Sequence, residues 1–422
     1  MKALTIQIGI FGKTNIGKSS LMNFITNQNT SIVSDIEGTT TDVVQKQMEL
    51  NPLGPITLFD TAGIDDKSNL GKARVEKTKK AFDKCDVILL MCGFNEFGAF
   101  EESFVKEAKV RNTPLIVIVS KTDLQNPNKE FLEKLKMYST YILQFSNVDS
   151  NRDIFLDDLK KILLEILSDN YIENYLALRN IIKKDDTVIL VMPIDLGAPR
   201  GKIIMPQVQT LRHILDLNAC SYIVQDTEYE TALENLKKTP ALVITDSQAV
   251  KTIATKTPEN IKLTTFSIIY AADKCDLVQM AKGAAKINCL KDDDKILIAE
   301  ACTHHASKDD IGRVKIPTWI REYTKKDLIV KYVSGQDYPQ DLLDYTLIIH
   351  CGACTLNRKG MLARLNKAVQ ANVAITNYGV AISVFAGVIE KVLEVFPDAL
   401  ATYRRELKRC KRSLTLSRYQ YS

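Results

Sequence analysis

The sequence predicts an α/β protein of three domains, each built around a largely parallel sheet. Short apolar runs alternate with helix-period segments along most of the chain, which is the pattern of parallel strands joined by crossover helices. The chain has 422 residues, of which 45% are apolar and 25% charged. This composition is that of an ordinary globular protein, and the length is too great for a single hydrophobic core.

The first domain is expected over residues 1–170. Five apolar runs in it are bounded by turn residues and are predicted to be strands: LTIQIGIFG, ITLFD, DVILLMC, PLIVIVS and YILQFS. Helix-period segments between these runs would cover both faces of the sheet. The amphipathic stretch DDLKKILLEILSDN completes the domain.

Two smaller domains are expected over residues 180–265 and 266–422. The middle domain has the apolar runs TVILVMPID, CSYIVQD, ALVITDS and KLTTFSIIY, with PQVQTLRHILDL as a helix. The last domain has KILIAEA, LIVKYVSG, YTLIIHCG and ANVAITN. The segment AADKCDLVQMAKGAAK between them is predicted to be helical and could pack against either neighbour.

Charge and hydropathy indicate no membrane or nucleic-acid partner. The net charge of +5 is small for this length. No run approaches the roughly 18 apolar residues that span a bilayer, and the first apolar run leads directly into a glycine loop, so it is interpreted as a strand and not as a signal peptide. We therefore expect a cytoplasmic protein whose nine cysteines are reduced, as core residues or metal ligands.

Residues 12–19 (GKTNIGKS) match the phosphate-binding loop G-x-x-x-x-G-K-[ST] between a strand and a helix. Gly12 and Gly17 let backbone N–H groups turn toward the phosphates. Lys18 would neutralise the β- and γ-phosphate oxygens, and the Ser19 hydroxyl would ligate Mg²⁺.

Two further segments complete the predicted magnesium and γ-phosphate site. Asp60 ends an apolar strand and would hold Mg²⁺ through water, and Gly63 would donate its N–H to the γ-phosphate. Thr40 lies in the polar segment GTTTD and is the candidate switch-loop ligand of Mg²⁺.

The base is expected to be guanine. Asp123 in the segment SKTD, which includes Lys121, follows the strand PLIVIVS, and its carboxylate can accept both N1–H and N2–H of guanine. Ser120 stands where GTPases usually have Asn. Residues 146–147 (SN) form an imperfect version of the last guanine loop.

The loop with GTTTD and DTAGI resembles the translation-factor-like GTPases that include tRNA-modifying enzymes and ribosome-assembly factors. The resemblance implies that Asn15 helps to hold K⁺ and that apolar Ile64 replaces a water-orienting glutamine. It therefore implies slow, potassium-stimulated hydrolysis of GTP. The fold expected on these grounds is an N-terminal P-loop GTPase domain followed by two smaller parallel-sheet α/β domains.

Cysteine and histidine cluster in two segments of the last domain. Cys302 and His304 follow the run KILIAEA, and the segment HCGAC, from His350 through Cys351 to Cys354, follows YTLII. The carboxyl ends of parallel strands lie at one edge of a sheet, so the two segments are expected to converge there. From the spacing alone, a [4Fe–4S] cluster and a structural zinc ion fit equally well.

The C-x-H and H-C-x-x-C segments behind a GTPase domain resemble the HydF family, the GTPases of [FeFe]-hydrogenase maturation. The strings DLGAPRGKIIMPQVQTLRHILD, EACTHHASKDDIGRVKIP and TNYGVAIS extend the resemblance over essentially the whole chain. It implies a [4Fe–4S] cluster on Cys302, Cys351 and Cys354. His304 and His350 are the candidates for the fourth ligand, with His305 in reserve. Glu300 and Asp309 flank the site and are expected to be solvated helix-end charges, although a carboxylate could serve as the fourth group.

The same resemblance implies a scaffold and carrier. Such a protein receives a diiron precursor made by two radical enzymes and delivers it to the apo-hydrogenase, and its middle domain forms a homodimer. Two alternatives remain at this stage: a tRNA-modifying GTPase, although the chain ends in SRYQYS and lacks the C-[IL]-G-K ending of those enzymes, and a zinc-stabilised regulatory GTPase. The basic segment YRRELKRCKRS near the end is expected to be a solvated helix face.

Overall fold

The structure is a computed structural model that describes residues 5–27, 44–60, 82–146, 152–167, 177–194, 203–301, 310–335, 338–339, 341–354 and 356–419. The chain divides into two compact units, Met1–Glu173 and Asn174–Ser422. Each unit is built on parallel strands with helices between them, which confirms the predicted fold class.

The first unit has a six-stranded sheet in the order β2-β3-β1-β4-β5-β6. Its strands are β1 (Ile6–Phe11), β2 (Val44–Leu50), β3 (Gly54–Asp60), β4 (Val87–Cys92), β5 (Leu115–Ser120) and β6 (Tyr141–Phe145). Its described helices are α1 (Lys18–Thr26), α2 (Ala99–Val110), α3 (Lys129–Lys136) and α4 (Arg152–Leu167). The apolar central strands β1 and β4 are buried on both faces, as strands of a parallel sheet covered by helices should be.

β2 is a strand that the apolar runs do not reveal. Its sequence VQKQMEL alternates exposed and partly buried residues, and it pairs antiparallel with β3 at the edge of the sheet. An edge strand with one solvated face needs an apolar residue only at every second position. The other five strands coincide with the predicted runs.

The second unit contains two four-stranded sheets, both wholly parallel. The first has the order β10-β9-β7-β8 and the second the order β12-β11-β13-β14. Their strands are β7 (Thr187–Val191), β8 (Cys220–Val224), β9 (Leu242–Thr245), β10 (Leu263–Thr265), β11 (Lys295–Ala299), β12 (Ile329–Val333), β13 (Leu347–His350) and β14 (Ala374–Asn377).

Helices surround both sheets of the second unit. In chain order those described are α5 (Met205–Asp216), α6 (Tyr229–Asn235), α7 (Val250–Lys256), α8 (Phe266–Lys274), α9 (Leu277–Ala285), α10 (Ile316–Thr324), α11 (Arg358–Gln370), α12 (Tyr378–Phe385), α13 (Ile389–Leu393) and α14 (Pro397–Tyr419). Short 3₁₀ turns occur at Asp226–Glu228 and Lys286–Cys289, and a π turn at Ile311–Lys315 precedes α10.

The run KLTTFSIIY is not one strand, as predicted, but a strand followed by a helix. β10 ends at Thr265, whose side chain accepts the N–H of Ile268 at 3.2 Å and so caps α8. Phe266, Ile268 and Ile269 are buried near the start of α8. A short apolar run cannot by itself distinguish a buried strand from a buried helix.

One apolar core joins the two sheets of the second unit. It contains Ile189 and Val243 from the first sheet together with Ile296 and Ile348 from the second. The predicted helical segment after residue 270 is confirmed, as the end of α8 and as α9. A division of this unit into separate domains at residue 265 stays a prediction.

The basic segment near the end of the chain is helical, as predicted. It belongs to α14, where Arg404 pairs with Glu390 and Arg409 with Glu406. Among the described residues, no helix combines the length and the apolar character that crossing a membrane requires.

Candidate nucleotide and metal sites

The phosphate loop leaves the end of β1, in the middle of the first sheet, where chain connections run to opposite sides. Gly12 and Gly17 have positive φ angles of 154° and 105°, and Asn15 has 60°. A Cβ on Gly12 would lie 2.8 Å from the Met91 carbonyl oxygen, so a side chain there would force the backbone apart. The loop geometry therefore requires the glycine.

Lys18 lies inside the curve of this loop. Its side chain is buried, and Nζ donates to the carbonyl oxygens of Gly12 at 3.1 Å and Lys13 at 2.8 Å. Gly17 is the N-cap of α1, so the ammonium group and the first N–H groups of the helix lie at the same end of the loop. An anion at this point would meet both.

Ser19 and Asp60 lie together beside the loop. The parallel register pairs Ile10 with Asp60, and the Ser19 hydroxyl donates to Asp60 Oδ2 at 2.5 Å. Burial raises the pKa of Asp60, while Ser19 and Lys18 act to lower it. A divalent cation at this carboxylate would offset the cost of its burial. Thr40, Gly63 and Ile64 lie outside the described residues.

The predicted base-reading segment follows β5. Lys121 adopts a left-handed conformation with φ of 59°, and Asp123 is exposed just beyond it. Ser120 points into the protein, where it is buried and donates to the Cys92 carbonyl oxygen at 3.0 Å. Ser120 therefore braces β5 against β4. Ser146 is partly buried at the end of β6, and Asn147 lies outside the described residues.

A salt bridge that the motifs do not predict supports the phosphate loop. Lys13 Nζ lies 3.4 Å from Glu101 Oε1, and Glu101 is 1% exposed. Glu101 also accepts the N–H of Gly98 at the start of α2. The residue is missed because α2 is distant in sequence and carries no recognised pattern.

The two cysteine segments emerge from neighbouring strands. β11 and β13 pair in parallel with Ala299 opposite His350, so the segments that follow them start at the same level. The N–H of Ala301 donates to Cys351 Sγ at 3.1 Å, and the N–H of Ala353 does so at 3.4 Å. Ala301 immediately precedes Cys302, which lies outside the described residues together with His304, His305 and Asp309. Cys354 is exposed.

Arg364 of α11 links three strand ends and was not predicted. Its guanidinium donates to the carbonyl oxygens of Glu300, after β11, and of Gly335, after β12. Nη1 also lies 3.0 Å from Nε2 of His350, the last residue of β13. The group stacks on the Tyr338 ring, 4.9 Å from its centroid.

His350 is completely buried between Arg364 and the cysteine loop. Because arginine can only donate, Nε2 accepts from Arg364, and Nδ1 then carries the proton that it donates to the Cys351 carbonyl oxygen at 2.8 Å. Burial and then Arg364 lower the pKa of His350 to about 3. The imidazole is neutral, and both of its nitrogens are hydrogen-bonded.

Lys274, at the end of α8, is a second buried cation at this site. Its Nζ donates to the Ala353 carbonyl oxygen at 2.7 Å and to Tyr270 Oη at 2.6 Å. Burial lowers the pKa of Lys274 to about 8, while Cys354 and then Cys351 act to raise it. Lys274 therefore fixes Ala353, which has a φ of 54°, in the middle of the C-x-x-C turn.

Glu300 is not the solvated charge that was expected. It is 3% exposed, and Oε2 lies 3.3 Å from Arg313 Nη2 in the π turn. It directly follows the buried strand β11 and lies beside Gly312. The cysteine edge is thus surrounded by buried charged groups.

Within the described part of the chain, no three His, Cys, Asp or Glu side chains converge as metal ligands. The described donors nevertheless fit a soft metal group: a Cys351 sulfur that accepts two N–H bonds, an exposed Cys354, and the cations Lys274 and Arg364 to offset thiolate charge. Thiolate sulfur selects zinc or iron–sulfur clusters over hard cations. Hydrogen bonds to sulfur are a known means of tuning such clusters.

Comparison with known proteins gives relatives for the first unit. The tRNA modification GTPase MnmE of Prochlorococcus marinus is 36% identical over 135 residues, covering 32% of this chain and 28% of that protein. MnmE of Staphylococcus haemolyticus is 35% identical over 156 residues, covering 35% and 34%. The chain thus spans about a third of the length of these relatives.

Solved structures show lower similarity. A crystal structure of Aquifex aeolicus Era is 23% identical, with a TM-score of 0.33, over 52% of this chain and 92% of that one. The G domain of the T. maritima FeoB iron transporter is 17% identical, with a TM-score of 0.29, over 38% and 99%.

Three family profiles match the chain in succession. The profile of the 50S ribosome-binding GTPase matches residues 7–121. The hydrogen maturase F dimerization domain matches residues 177–275, and the hydrogen maturase F tetramerization domain matches residues 278–395. Two adjoining domains specific to one family, behind a GTPase domain, show that this chain belongs to the hydrogen maturase F (HydF) family.

Proposed function

We propose that this protein is a GTP-dependent scaffold and carrier that holds a [4Fe–4S] cluster and delivers a diiron precursor to apo-[FeFe]-hydrogenase. The observation that carries the proposal is the hydrogen bond from Ala301 N–H to Cys351 Sγ. It brings the residue before Cys302 against the second cysteine segment, at the sheet edge where parallel α/β folds bind ligands. The family-specific profiles supply the context of hydrogenase maturation.

The proposed cluster ligands are Cys302, Cys351 and Cys354. When bound, the cluster would supply an iron position that is open to an exchangeable ligand. Lys274 and Arg364 would offset the charge of the thiolates, and the N–H groups of Ala301 and Ala353 would orient Cys351. Because both nitrogens of His350 are engaged, we propose it as a positioning residue and keep His304 as the candidate fourth ligand.

The nucleotide site is proposed to bind GTP and Mg²⁺ through the loop of Gly12, Gly17 and Lys18, with Ser19, Thr40, Asp60 and Gly63 at the metal and γ-phosphate. Lys121 and Asp123 would read guanine. Asn15 would hold K⁺, so hydrolysis is expected to be slow and faster in potassium than in sodium salts. Equal rates in the two salts would overturn the potassium assignment.

The homodimer is proposed to form through the middle domain. Its partners in the cell would be the two radical enzymes that build the precursor and the apo-hydrogenase that receives it. The family profile for residues 177–275 is that of a dimerization domain, which supports self-association.

Anaerobic purification tests the proposal. The full chain should be brown and contain iron and sulfide, and each of Cys302→Ser, Cys351→Ser and Cys354→Ser should lose iron while GTP hydrolysis persists. Cys289→Ser and Cys410→Ser are matched controls, since those two free thiols share a hydrogen bond with each other. A colourless protein with bound zinc would favour the regulatory GTPase instead.

A further inference from the structure

A tyrosine lies at the same sheet edge as the cysteines and has no role in the site described above. β13 and β14 pair in parallel with His350 opposite Asn377, so Cys351 and Tyr378 follow at the same level on neighbouring strands. Tyr378 is the first residue of α12, whose start is fixed by Asn377 Oδ1 accepting the N–H of Val380 at 2.9 Å. The strand ends of β11, β13 and β14 therefore converge in one place.

The hydroxyl of Tyr378 is buried, and it has no hydrogen-bond partner among the residues that the structure describes. Its surroundings are polar. A Cβ built on Gly312 would lie 2.1 Å from Tyr378 Oη and 2.8 Å from Glu300 Oε1, so the absence of a side chain at Gly312 leaves room for both groups. Burial raises the pKa of the Tyr378 hydroxyl.

The nearby carboxylate is already paired. Glu300 forms its ion pair with Arg313, and Tyr378 makes no bond to it. A buried hydroxyl left without a partner costs about 1–3 kcal/mol. The phenol follows β14 at the level where Cys351 follows β13, and Gly312 leaves space around its hydroxyl. The hydroxyl is therefore placed to donate a hydrogen bond to a group bound at Cys351.

We propose that the Tyr378 hydroxyl donates a hydrogen bond to a sulfur atom of the iron–sulfur cluster held at Cys351. The inference rests on the proposed function, because it requires that the cysteines bind such a cluster. A hydrogen bond to a cluster sulfur disperses negative charge and stabilises the reduced form, so it raises the reduction potential. Tyr378 would thus set the potential of the cluster without ligating iron.

The test compares the full chain with Tyr378→Phe, which removes only the hydroxyl. Both are purified without oxygen, loaded with iron and sulfide, and titrated with EPR detection. We expect equal iron and sulfide per chain, a lower midpoint potential in the variant, and loss of an exchangeable proton coupling that ENDOR detects by comparing H₂O with D₂O. Tyr403→Phe is the matched control, because that buried phenol is bonded to Asn288.

The outcomes separate this inference from the proposed function. A loaded Tyr378→Phe variant with unchanged potential and unchanged proton coupling overturns the inference alone. An unmodified chain that binds no iron–sulfur cluster overturns both. If Tyr378→Phe does not fold, Gly312→Ala decides by the same measurements, since its methyl group must displace the phenol: a lowered potential supports the role, and an unchanged one refutes it.

Discussion

Ser120 and Asp123 belong to the same segment, SKTD, but have different surroundings. The Ser120 hydroxyl donates a hydrogen bond to the Cys92 carbonyl oxygen inside the sheet, whereas Asp123 is exposed in the loop that follows β5. In the proposed nucleotide site, recognition of the base would therefore rest on the Asp123 carboxylate.

Replacing Asp123 by Asn should change the preferred base. A carboxylate only accepts hydrogen bonds, whereas an amide also donates, so the variant should favour xanthine over guanine nucleotides. Without the two hydrogen bonds that the carboxylate would accept from guanine N1–H and N2–H, GTP binding should weaken by about a hundredfold or more. Titration with GTP and XTP measures this, with Asp153→Asn as a control because that carboxylate is 96% exposed. Undiminished GTP selectivity would show that another loop reads the base.

Asp273, in α8, provides a prediction of pH dependence. It accepts the N–H of Ala177 at 2.8 Å and faces His213, 3.6 Å away, and burial raises its pKa to about 7. A carboxyl group whose pKa is raised by folding stabilises the fold fully below about pH 4, and this contribution is lost as the pH rises through about 7. Each pH unit in that window removes up to about 1.4 kcal/mol.

Asp273→Asn should remove this dependence while keeping an acceptor for Ala177. The stability of the variant relative to the unmodified chain should therefore increase between pH 4 and 7. Denaturation followed by Trp319, the only tryptophan in the chain and part of the second unit, gives the measurement. Asp344→Asn is the control, because its side chain is 80% exposed, and parallel curves for all three proteins would refute the assignment.

At the scale of elements, the contact between α9 and β14 holds the edge strand of the cysteine-bearing sheet. A Cβ on Gly283 would lie 1.9 Å from the Ile375 carbonyl oxygen, which is backbone and cannot move aside. Gly283→Ala should therefore destabilise the second unit by about 3 kcal/mol, despite the higher helix propensity of alanine. Unfolding followed at Trp319 measures the loss. Lys282→Ala, on the exposed side of α9, should leave stability nearly unchanged, and equal stabilities of the two variants would contradict the close packing.

The sequence predicted the strands of both cysteine segments and, through strand polarity, that their ends converge. The register of Ala299 with His350 confirms the alignment of these strand ends. Arg364, Lys274 and Tyr378 were missed because they come from three separate helices, each at least 13 residues from Cys351 in sequence. No spacing pattern in the sequence places them beside the cysteines. Only the packing of these helices against the sheet shows that the three residues lie beside the cysteine segments. β10 and α8 were merged because both are buried and no turn residue separates them in the sequence.

At the scale of the whole molecule, the exposed edge of the first sheet in the second unit is the expected contact between two chains. β10, at one edge, has three buried residues, whereas β8, at the other, exposes Tyr222 and Ile223 by 51% and 52%. An exposed apolar edge strand favours pairing with another strand. Two copies meeting at β8 would join their sheets across a twofold axis.

Ile223→Lys should weaken this dimer, because it places a charge in the apolar contact. Light scattering on the full chain should give a lower mass for the variant at micromolar concentration. Ile154→Lys is the matched control, since Ile154 is 62% exposed on α4 of the other unit. An unchanged mass for Ile223→Lys would exclude β8 as the contact.

Arg364 joins the ends of β11, β12 and β13 through protein atoms alone. Small domains that fold only around their metal unfold when the metal leaves, because ordering the chain then has no compensation. Here the guanidinium ties the three strand ends together through hydrogen bonds to two backbone carbonyl oxygens and one imidazole nitrogen. In a carrier of the kind proposed, the cluster-binding domain would then stay folded after the bound group is delivered. Binding the next group would require ligand exchange but no refolding.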